Sequence, residues 1–206
     1  VNNFGFGISA KSERWDYDFL TCDSTHTVSN EEFKLWLGKS FKINPNKAFF
    51  IAASGEITNF HLRPDVNINH NTLFHNRKIA LLSLGFYNEQ YYTSRYIYGY
   101  GRTEDIPYGY NLTLTGGFSS CEFDNRFYIG SSATISYPTR IGHFQLSAAL
   151  GTRFNSHQLC QTNMDLGMDW FSNLFTVGKS AIVRQFLSCS LTMGFKRHQG
   201  EGEVIG

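Results

Sequence analysis

The feature of this sequence that most restricts its fold is an alternation of apolar and polar residues with a period of two. Successive side chains of a β-strand point to opposite faces, so this alternation indicates strands with one face in an apolar medium and the other in a polar one. No stretch with a helical period and capping residues competes with it. The sequence therefore predicts an all-β protein. The apolar members of the clearest runs are Phe4, Phe6 and Ile8; Phe33, Leu35 and Leu37; Tyr110, Leu112, Leu114 and Phe118; Phe127, Ile129, Ala133, Ile135 and Tyr137; Phe144, Leu146, Ala148, Leu150 and Phe154; Met164, Leu166, Met168 and Trp170; and Leu187, Cys189, Leu191, Met193 and Phe195.

The length of these runs and the residues at their ends favour a membrane barrel over a soluble β-sandwich. Each run spans about 9 to 11 residues, which a tilted strand needs to cross a bilayer, whereas ordinary strands have about 5 or 6. Charged residues make up only 17% of the chain, and a sandwich would normally place more of them on its outer faces. Aromatic residues at both ends of an apolar run are typical of the girdles of outer-membrane barrels. Such pairs are Phe127 with Tyr137, Phe144 with Phe154, and Tyr110 with Phe118.

We therefore expect residues 1–206 to form a single domain, a partial antiparallel transmembrane β-barrel of about ten strands. Tight turns are predicted at Asn44–Asn46 and Pro138–Arg140, and two long gaps at Ser12–Asn30 and Thr58–Asn76. If the last strand runs outward, Pro138–Arg140 is a periplasmic turn. Counting back through ten strands then puts both long gaps on the periplasmic side, against the usual rule of short periplasmic turns. One more strand within residues 11–77, or about eleven in all, would remove this conflict.

The composition and motifs disfavour several functional classes. A net charge of +1 gives no electrostatic footprint for nucleic acid, and no apolar run reaches the roughly 18 residues of a transmembrane helix. The four cysteines lack metal-ligand spacing, and His61, His70 and His75 match no zinc motif. No nucleophile motif of the GxSxG type occurs. We therefore expect no enzyme, no cofactor and no metal site, and interpret the histidines mostly as loop residues.

Several segments of the second half, in their order, resemble one known family. They are Arg102–Gly109 with the strand that follows it to Phe118, Asp124–Gly130, Asp169–Phe175, and Arg184–Phe186 at the start of a long strand. This set is similar to the barrel domain of the surface-antigen superfamily, which includes the BamA-type outer-membrane assembly factors. The resemblance covers about residues 78–206, and the first third agrees only by pattern. It implies a barrel truncated before the family's loop with an Arg-Gly-Phe or Arg-Gly-Tyr motif. That motif, its partner strands and the POTRA repeats are absent here, so no functional residue is carried over.

The resemblance implies a protein of the bacterial outer membrane that inserts or translocates other proteins without enzymatic catalysis. A deformable seam and local bilayer thinning would lower the barrier for client strands, which add to an exposed edge. The implied partners are outer-membrane lipid, client outer-membrane or secreted proteins, and lipoprotein accessory subunits. Two alternatives share the same strand pattern: a passive porin or surface ligand-binding barrel, and a barrel joined to an enzymatic domain outside this sequence.

Charged residues in the second half are candidates for a functional cluster in the barrel lumen or at its rim. Asp165 and Asp169 share the polar face of one strand, and the flanking strands supply two arginines. This arrangement predicts structural ion pairs across the lumen, or tuning of a pore. The remaining candidates precede Pro107, where they form either a rim cluster or a solvated turn. The full set is Arg102, Glu104, Asp105, Arg153, Asp165, Asp169 and Arg184.

Glycines on the polar side of the alternation are a further group of interest. Glycine within a strand permits strong coiling or the close approach of another segment. We expect this group to provide either curvature or room for an inserted loop. Its members are Gly99, Gly101, Gly117, Gly130 and Gly151.

Overall fold

The computed structural model describes residues 3–18, 25–68, 71–99, 101–155, 158–178 and 181–195. These residues are almost entirely β-strand, with one short 3-10 turn at Thr72–Phe74. Their strands are β1 Asn3–Asp18, β2 Thr25–Asn44, β3 Lys47–Leu62, β4 Arg77–Arg95, β5 Thr103–Cys121, β6 Asn125–Thr139, β7 Gly142–Asn155, β8 Gln158–Ser172, β9 Phe175–Val177, β10 Ala181–Val183 and β11 Phe186–Phe195.

Nine strands form one antiparallel sheet in the order β1-β2-β3-β4-β5-β6-β7-β8-β11. β9 and β10 pair with each other as a separate small hairpin in the connection from β8 to β11. This architecture confirms the prediction of an all-β antiparallel chain. β1 and β11 are the two edges and do not pair with each other within the described residues, so the sheet is not closed into a barrel.

Connections alternate between two ends of the sheet because neighbouring strands are antiparallel. The turn end carries the connections 45–46, 96–102, 140–141 and 173–185, and the loop end carries 19–24, 63–76, 122–124 and 156–157. Both of the long gaps predicted from the sequence, Ser12–Asn30 and Thr58–Asn76, therefore fall toward the loop end, opposite Pro138–Arg140. The parity conflict disappears because an odd number of strands separates each gap from Pro138–Arg140, namely β2 to β6 for the first gap and β4 to β6 for the second. The main sheet contains nine strands.

The strands are longer than the apolar runs suggest. β2 contains 20 residues, and the predicted gap Ser12–Asn30 is largely an extension of the β1–β2 hairpin, in which Arg14 pairs with Ser29. Residues 19–24 of this gap lie outside the described residues. For the remainder the prediction of a loop is wrong, because this part of the hairpin is mainly polar and carries little apolar alternation. Thr58–Asn76 is also shorter than predicted, since β3 continues to Leu62.

The strand register joins the alternating residues into two continuous faces. Residues that oppose each other on antiparallel strands share a face. Leu112 opposes Ala133, which opposes Ala148, and Ala148 opposes Leu166, which in turn opposes Leu191. We call the face that contains this row the apolar face and its reverse the polar face.

No other part of the described chain covers the apolar face. Leu114 is 62% exposed, Ile135 51% and Leu191 50%. Large contiguous apolar surfaces of this kind mark contact with a membrane or another protein. The described residues therefore do not form the hydrophobic core of a soluble domain. Their only buried apolar side chains are Val28, Ala48, Phe74 and Ile106.

Glycines on the polar face allow aromatic rings to lie against the sheet. A Cβ atom added to Gly130 would lie 2.4 Å from the Tyr128 hydroxyl oxygen, and one added to Gly151 would lie 3.0 Å from it. The close approach of another group, which was predicted for Gly130 and Gly151, is therefore made by the side chain of Tyr128. Gly99 and Gly101 instead lie in the connection from β4 to β5, so their assignment to a strand face is wrong.

Candidate functional site

A belt of aromatic rings crosses the apolar face near the turn end, from β2 to β8. Ring centroids are 6.0 Å apart for Phe41 and Phe49, and 5.8 Å apart for Phe86 and Tyr110. Further along, the Tyr108–Tyr137 and Phe144–Trp170 pairs are each separated by 6.1 Å. Direct strand pairing of Phe49 with Phe86, and of Tyr137 with Phe144, links these pairs. We call this set the turn-end belt; its members are Phe41, Phe49, Phe86, Tyr108, Tyr110, Tyr137, Phe144 and Trp170.

A second aromatic row lies on the same face toward the loop end. Phe118 opposes Phe127, and Phe127 opposes Phe154; we call these three residues the loop-end belt. On β6, Phe127 and Tyr137 are ten positions apart (137 − 127). At about 3.3 Å per residue this is about 33 Å along the strand, or about 25 Å along a membrane normal for a tilt of about 40°. That distance agrees with the apolar band of an outer-membrane barrel, about 25 Å tall.

The polar face carries a groove of about 500 Å³ over strands β4 to β8. Two of the predicted residues, Arg153 and Asp165, line it together with Tyr128, Gln161 and Asn163. Arg153 Nη1 donates a hydrogen bond to Gln161 Oε1 at 2.9 Å. The side-chain oxygen Oδ1 of Asn163 is buried and has no hydrogen-bond partner among the residues that the structure describes. The groove is thus a mixed polar surface, which suits water or a peptide segment better than an apolar ligand.

The two predicted aspartates accept hydrogen bonds from hydroxyl groups of β11. Thr192 Oγ1 donates to Asp165 Oδ1 at 2.8 Å, and Ser188 Oγ donates to Asp169 Oδ1 at 2.6 Å. These contacts attach β11 to β8 on the polar face. Ion pairing of either aspartate across a lumen remains a prediction.

Arg184 lies away from both aspartates, because it falls between β10 and β11 and not on the polar face of the last strand. Its Nη2 donates to Ser94 Oγ at 2.9 Å, and its guanidinium carbon lies 5.0 Å from the centre of the Phe171 ring. Burial lowers the pKa of Arg184 from its usual value. Its Nε and Nη1 atoms are buried without a partner in the described part of the chain.

The predicted cluster before Pro107 lies where the β4–β5 connection enters β5: Arg102 ends the connection, and Glu104 and Asp105 are among the first residues of β5. Glu104 accepts hydrogen bonds from the backbone N–H groups of Tyr98 and Ile97, with shortest distances of 3.0 Å and 3.2 Å. Asp105 pairs with Thr93 across the strands, and the Arg102 side chain lies beside Gly99. The contacts of Glu104 hold the backbone of the β4–β5 connection at Ile97 and Tyr98.

A buried hydrogen-bond chain at the turn end escaped the sequence analysis. His143 is 4% exposed; its Nε2 lies 2.7 Å from Ser136 Oγ and its Nδ1 lies 3.0 Å from Tyr92 Oη. Ser136 Oγ donates to the Pro107 carbonyl oxygen at 3.2 Å. When Ser136 donates its single hydroxyl proton to Pro107, His143 Nε2–H donates to Ser136 and Nδ1 accepts from Tyr92.

This chain connects four neighbouring strands, β4 to β7, at the turn end. The His143 Nδ1 atom meets the Tyr92 hydroxyl, whereas the histidine of a catalytic triad is oriented by a carboxylate. The interpretation of the histidines as mostly loop residues missed His143, since a single polar residue beside an apolar run carries no signal of its partners.

A second polar cluster closes the loop end. Arg63 makes a bidentate ion pair with Glu122, with Nη1–Oε2 and Nη2–Oε1 distances of 2.6 Å and 2.8 Å, and Nη1 also donates to the Phe74 carbonyl oxygen at 2.9 Å. The Arg63 guanidinium holds the pKa of Glu122 below its usual value. The backbone N–H of Glu122 donates to the Asn76 carbonyl oxygen at 3.0 Å. These contacts fasten the 63–76 connection to the turn that follows β5.

The residues that the structure describes contain no cluster of three or more ligands suited to a metal ion. Among those residues, no helix is long and apolar enough to cross a membrane. Comparisons with protein-family models, with curated proteins and with solved structures found no match.

Proposed function

We propose that this chain forms a wall of a bacterial outer-membrane β-barrel of the BamA type, which inserts or translocates other proteins without enzymatic catalysis. The observation that carries the membrane location is the exposed apolar face bounded by the turn-end and loop-end belts. Its height of about 25 Å suits the hydrocarbon region of an outer membrane. Membrane lipid would then replace the water that this face contacts in the isolated sheet.

The open sheet supports an assembly role. A lipid-exposed edge leaves unsatisfied backbone groups, which is very costly in hydrocarbon. β1 and β11 therefore require partner strands in the membrane, either from the same barrel or from a client. The order of the segments from Arg102 to Phe186 is the further reason for placing the chain with the assembly factors.

A passive pore or surface ligand-binding barrel is the second candidate. The polar groove that contains Arg153 and Asp165 favours it, since a wet lumen lined by charges can conduct ions. An assembly factor would speed the folding of a client protein, whereas a passive pore would not, so a folding assay separates the two functions.

The membrane location is tested by moving one thiol across the sheet. Cys189 lies on the apolar face, opposite Met168, and Ser190 lies next to it on the polar face. The full chain, with C22S, C121S and C160S, is inserted into vesicles in two forms. The first form keeps the thiol of Cys189. The second form carries C189S and S190C in addition, so that its thiol lies at position 190. We expect Cys189 to be protected from a water-soluble maleimide and the S190C thiol to react. Equal reaction of both thiols would contradict the membrane location.

The assembly activity is tested with the full chain in vesicles. A purified outer-membrane barrel protein is added in urea, and its folding is followed by its altered gel mobility. The proposal predicts faster folding than in empty vesicles or in vesicles with an unrelated porin. Ion conductance without faster folding would replace it with the passive pore.

A further inference from the structure

The hairpin of β2 and β3 presents positive charge within the turn-end belt. From residue 33 to residue 55 the chain contains four lysines and no aspartate or glutamate. Lys34 is neutralised by Glu32 at 2.8 Å and Glu56 at 3.5 Å. The other three are Lys39, Lys42 and Lys47, which we call the hairpin lysines.

No described residue neutralises the hairpin lysines, since none of them belongs to an ion pair. Glu89 is the acidic residue that comes nearest along the neighbouring strand, where its backbone N–H donates to the Asn46 carbonyl oxygen at 2.8 Å. Its carboxylate instead accepts a hydrogen bond from the Tyr91 hydroxyl at 2.7 Å. The hairpin therefore carries uncompensated positive charge.

Two of these lysines share the apolar face with aromatic rings. Lys39 opposes Ile51, and Lys47 opposes Asn88 directly beside the Phe49–Phe86 pair. The Lys39 ammonium lies 5.1 Å from the centre of the Phe41 ring. Beyond them toward the tip, Ile43 is 58% exposed. Ammonium groups thus alternate with apolar side chains at the level where the belt would meet the lipid headgroups.

We propose that Lys39 and Lys47 form a binding site for anionic phospholipid, with the phosphate on their ammonium groups and the acyl chains on the apolar face below. Lys42, which opposes Ala48 on the polar face, adds to the positive charge at the same level of the sheet. The inference rests on the proposed membrane location. The long stems of lysines lie along apolar surface while their ammonium groups stay at the interface. An ammonium near an anionic membrane surface contributes a free energy that corresponds to roughly a fivefold change in affinity per lysine.

A soluble acidic protein fits this surface less well. Its docking would leave the apolar face between the two belts uncovered, whereas a phospholipid covers the ammonium groups and the apolar side chains with one molecule. A single anionic phospholipid can therefore contact both the positive charge and the apolar surface of the hairpin.

The experiment measures phospholipid binding to the purified full chain by native mass spectrometry, with phosphatidylglycerol and phosphatidylcholine titrated separately. The test variant is K39Q/K42Q/K47Q. The control variant, K11Q/R14Q/K78Q, removes the same charge from positions away from the hairpin. Both are first inserted into vesicles and checked by protection of Cys189 in the C22S/C121S/C160S background.

We expect the wild type and the control to prefer phosphatidylglycerol, and the test variant to lose at least tenfold of that preference. Equal affinity of the wild type for both lipids, or equal losses in both variants, would overturn the lipid site while Cys189 stays protected. Reaction of Cys189 with the water-soluble maleimide in every chain would overturn the proposed membrane location, and the lipid site with it.

Discussion

The two faces of the sheet are built from the same strands but are held by different interactions. On the polar face, side chains hold one another: Arg153 bonds to Gln161, Thr192 to Asp165, and Tyr128 lies over two glycines. On the apolar face, Leu114 and Ile135 remain half exposed or more, and their neighbours in the sheet do not cover them. The polar face supplies its own contacts, and the apolar face depends on its surroundings.

This difference reverses the arrangement of a soluble β-protein. A soluble sheet buries its apolar face and exposes its polar face to water. Here many polar side chains have partners within the sheet, while the apolar surface stays uncovered. The predictions below compare matched positions on the two faces.

The largest effect is expected for a charge placed in the middle of the apolar face. Ala148 and Ala149 are adjacent in β7; Ala148 opposes Leu166 on the apolar face, and Ala149 opposes Asp165 on the polar face. For folding into vesicles, A148R should cost about 2–4 kcal/mol, the value for arginine near a bilayer midplane. A149R should cost much less because Asp165 faces it. Urea titration of folding measures both variants, and equal costs would contradict the assignment of faces.

A smaller effect is expected when a methyl group is added to a glycine. In G130A the new Cβ would overlap the Tyr128 ring, and an overpacked contact costs about 1–3 kcal/mol. Gly116 lies on the apolar face, where the Cβ would meet only the Tyr128 carbonyl oxygen at 4.0 Å. G116A should be neutral or slightly stabilising, since glycine weakens a strand. The same titration measures both, and a larger loss in G116A would contradict the predicted role of Tyr128.

The smallest effect concerns pH and the polar contacts at the loop end. Glu122 has a folded-state pKa below its unfolded value, so its pair with Arg63 stabilises the protein above that unfolded value, about 4.3. This contribution, on the order of 1 kcal/mol for a partly exposed bidentate pair, should be lost as pH falls through the folded pKa. E122Q removes the titrating carboxylate. The decrease of the urea midpoint as pH falls through the folded pKa of Glu122 should therefore disappear in this variant.

The control for this pH effect is E13Q, which removes the exposed carboxylate paired with Lys11. Its pH dependence should stay close to that of the wild type, because surface ion pairs contribute little. If E13Q and E122Q change the midpoint equally at every pH, the bidentate pair has no special contribution.

The apolar alternation was sufficient to predict the all-β chain and the division into two faces. Residues such as Leu112, Leu146 and Leu191 occupy the face expected for them. Alternation failed at the extension of the β1–β2 hairpin, where few residues are apolar and the period of two is therefore not visible. It also failed for the number of strands in the main sheet, because β9 and β10 pair with each other outside it.

The sequence predicted that charged residues lie together on the polar face, but it did not predict the contacts that these residues make. Arg153 and Asp165 do meet in one groove, whereas Arg184 lies over Phe171 at the turn end. Alternation with a period of two predicts on which face of the sheet a side chain lies. It does not predict which residue that side chain contacts, because the contact depends on the strand register. For the same reason, the contacts of His143 with Tyr92 and Ser136 could be found only from the structure.

The turn-end belt moves by two positions on β5, from Tyr110, which contacts Phe86, to Tyr108, which contacts Tyr137. An insertion of one residue within a strand would send every later side chain of that strand to the opposite face. The register shifts that the sheet does contain lie near strand ends, at Ser29/Asn30, Lys42/Asn44 and Arg153/Phe154. In the descent of such a chain, strand lengths between the belts would change in pairs of residues, while the connections 63–76 and 173–185 could gain or lose residues singly.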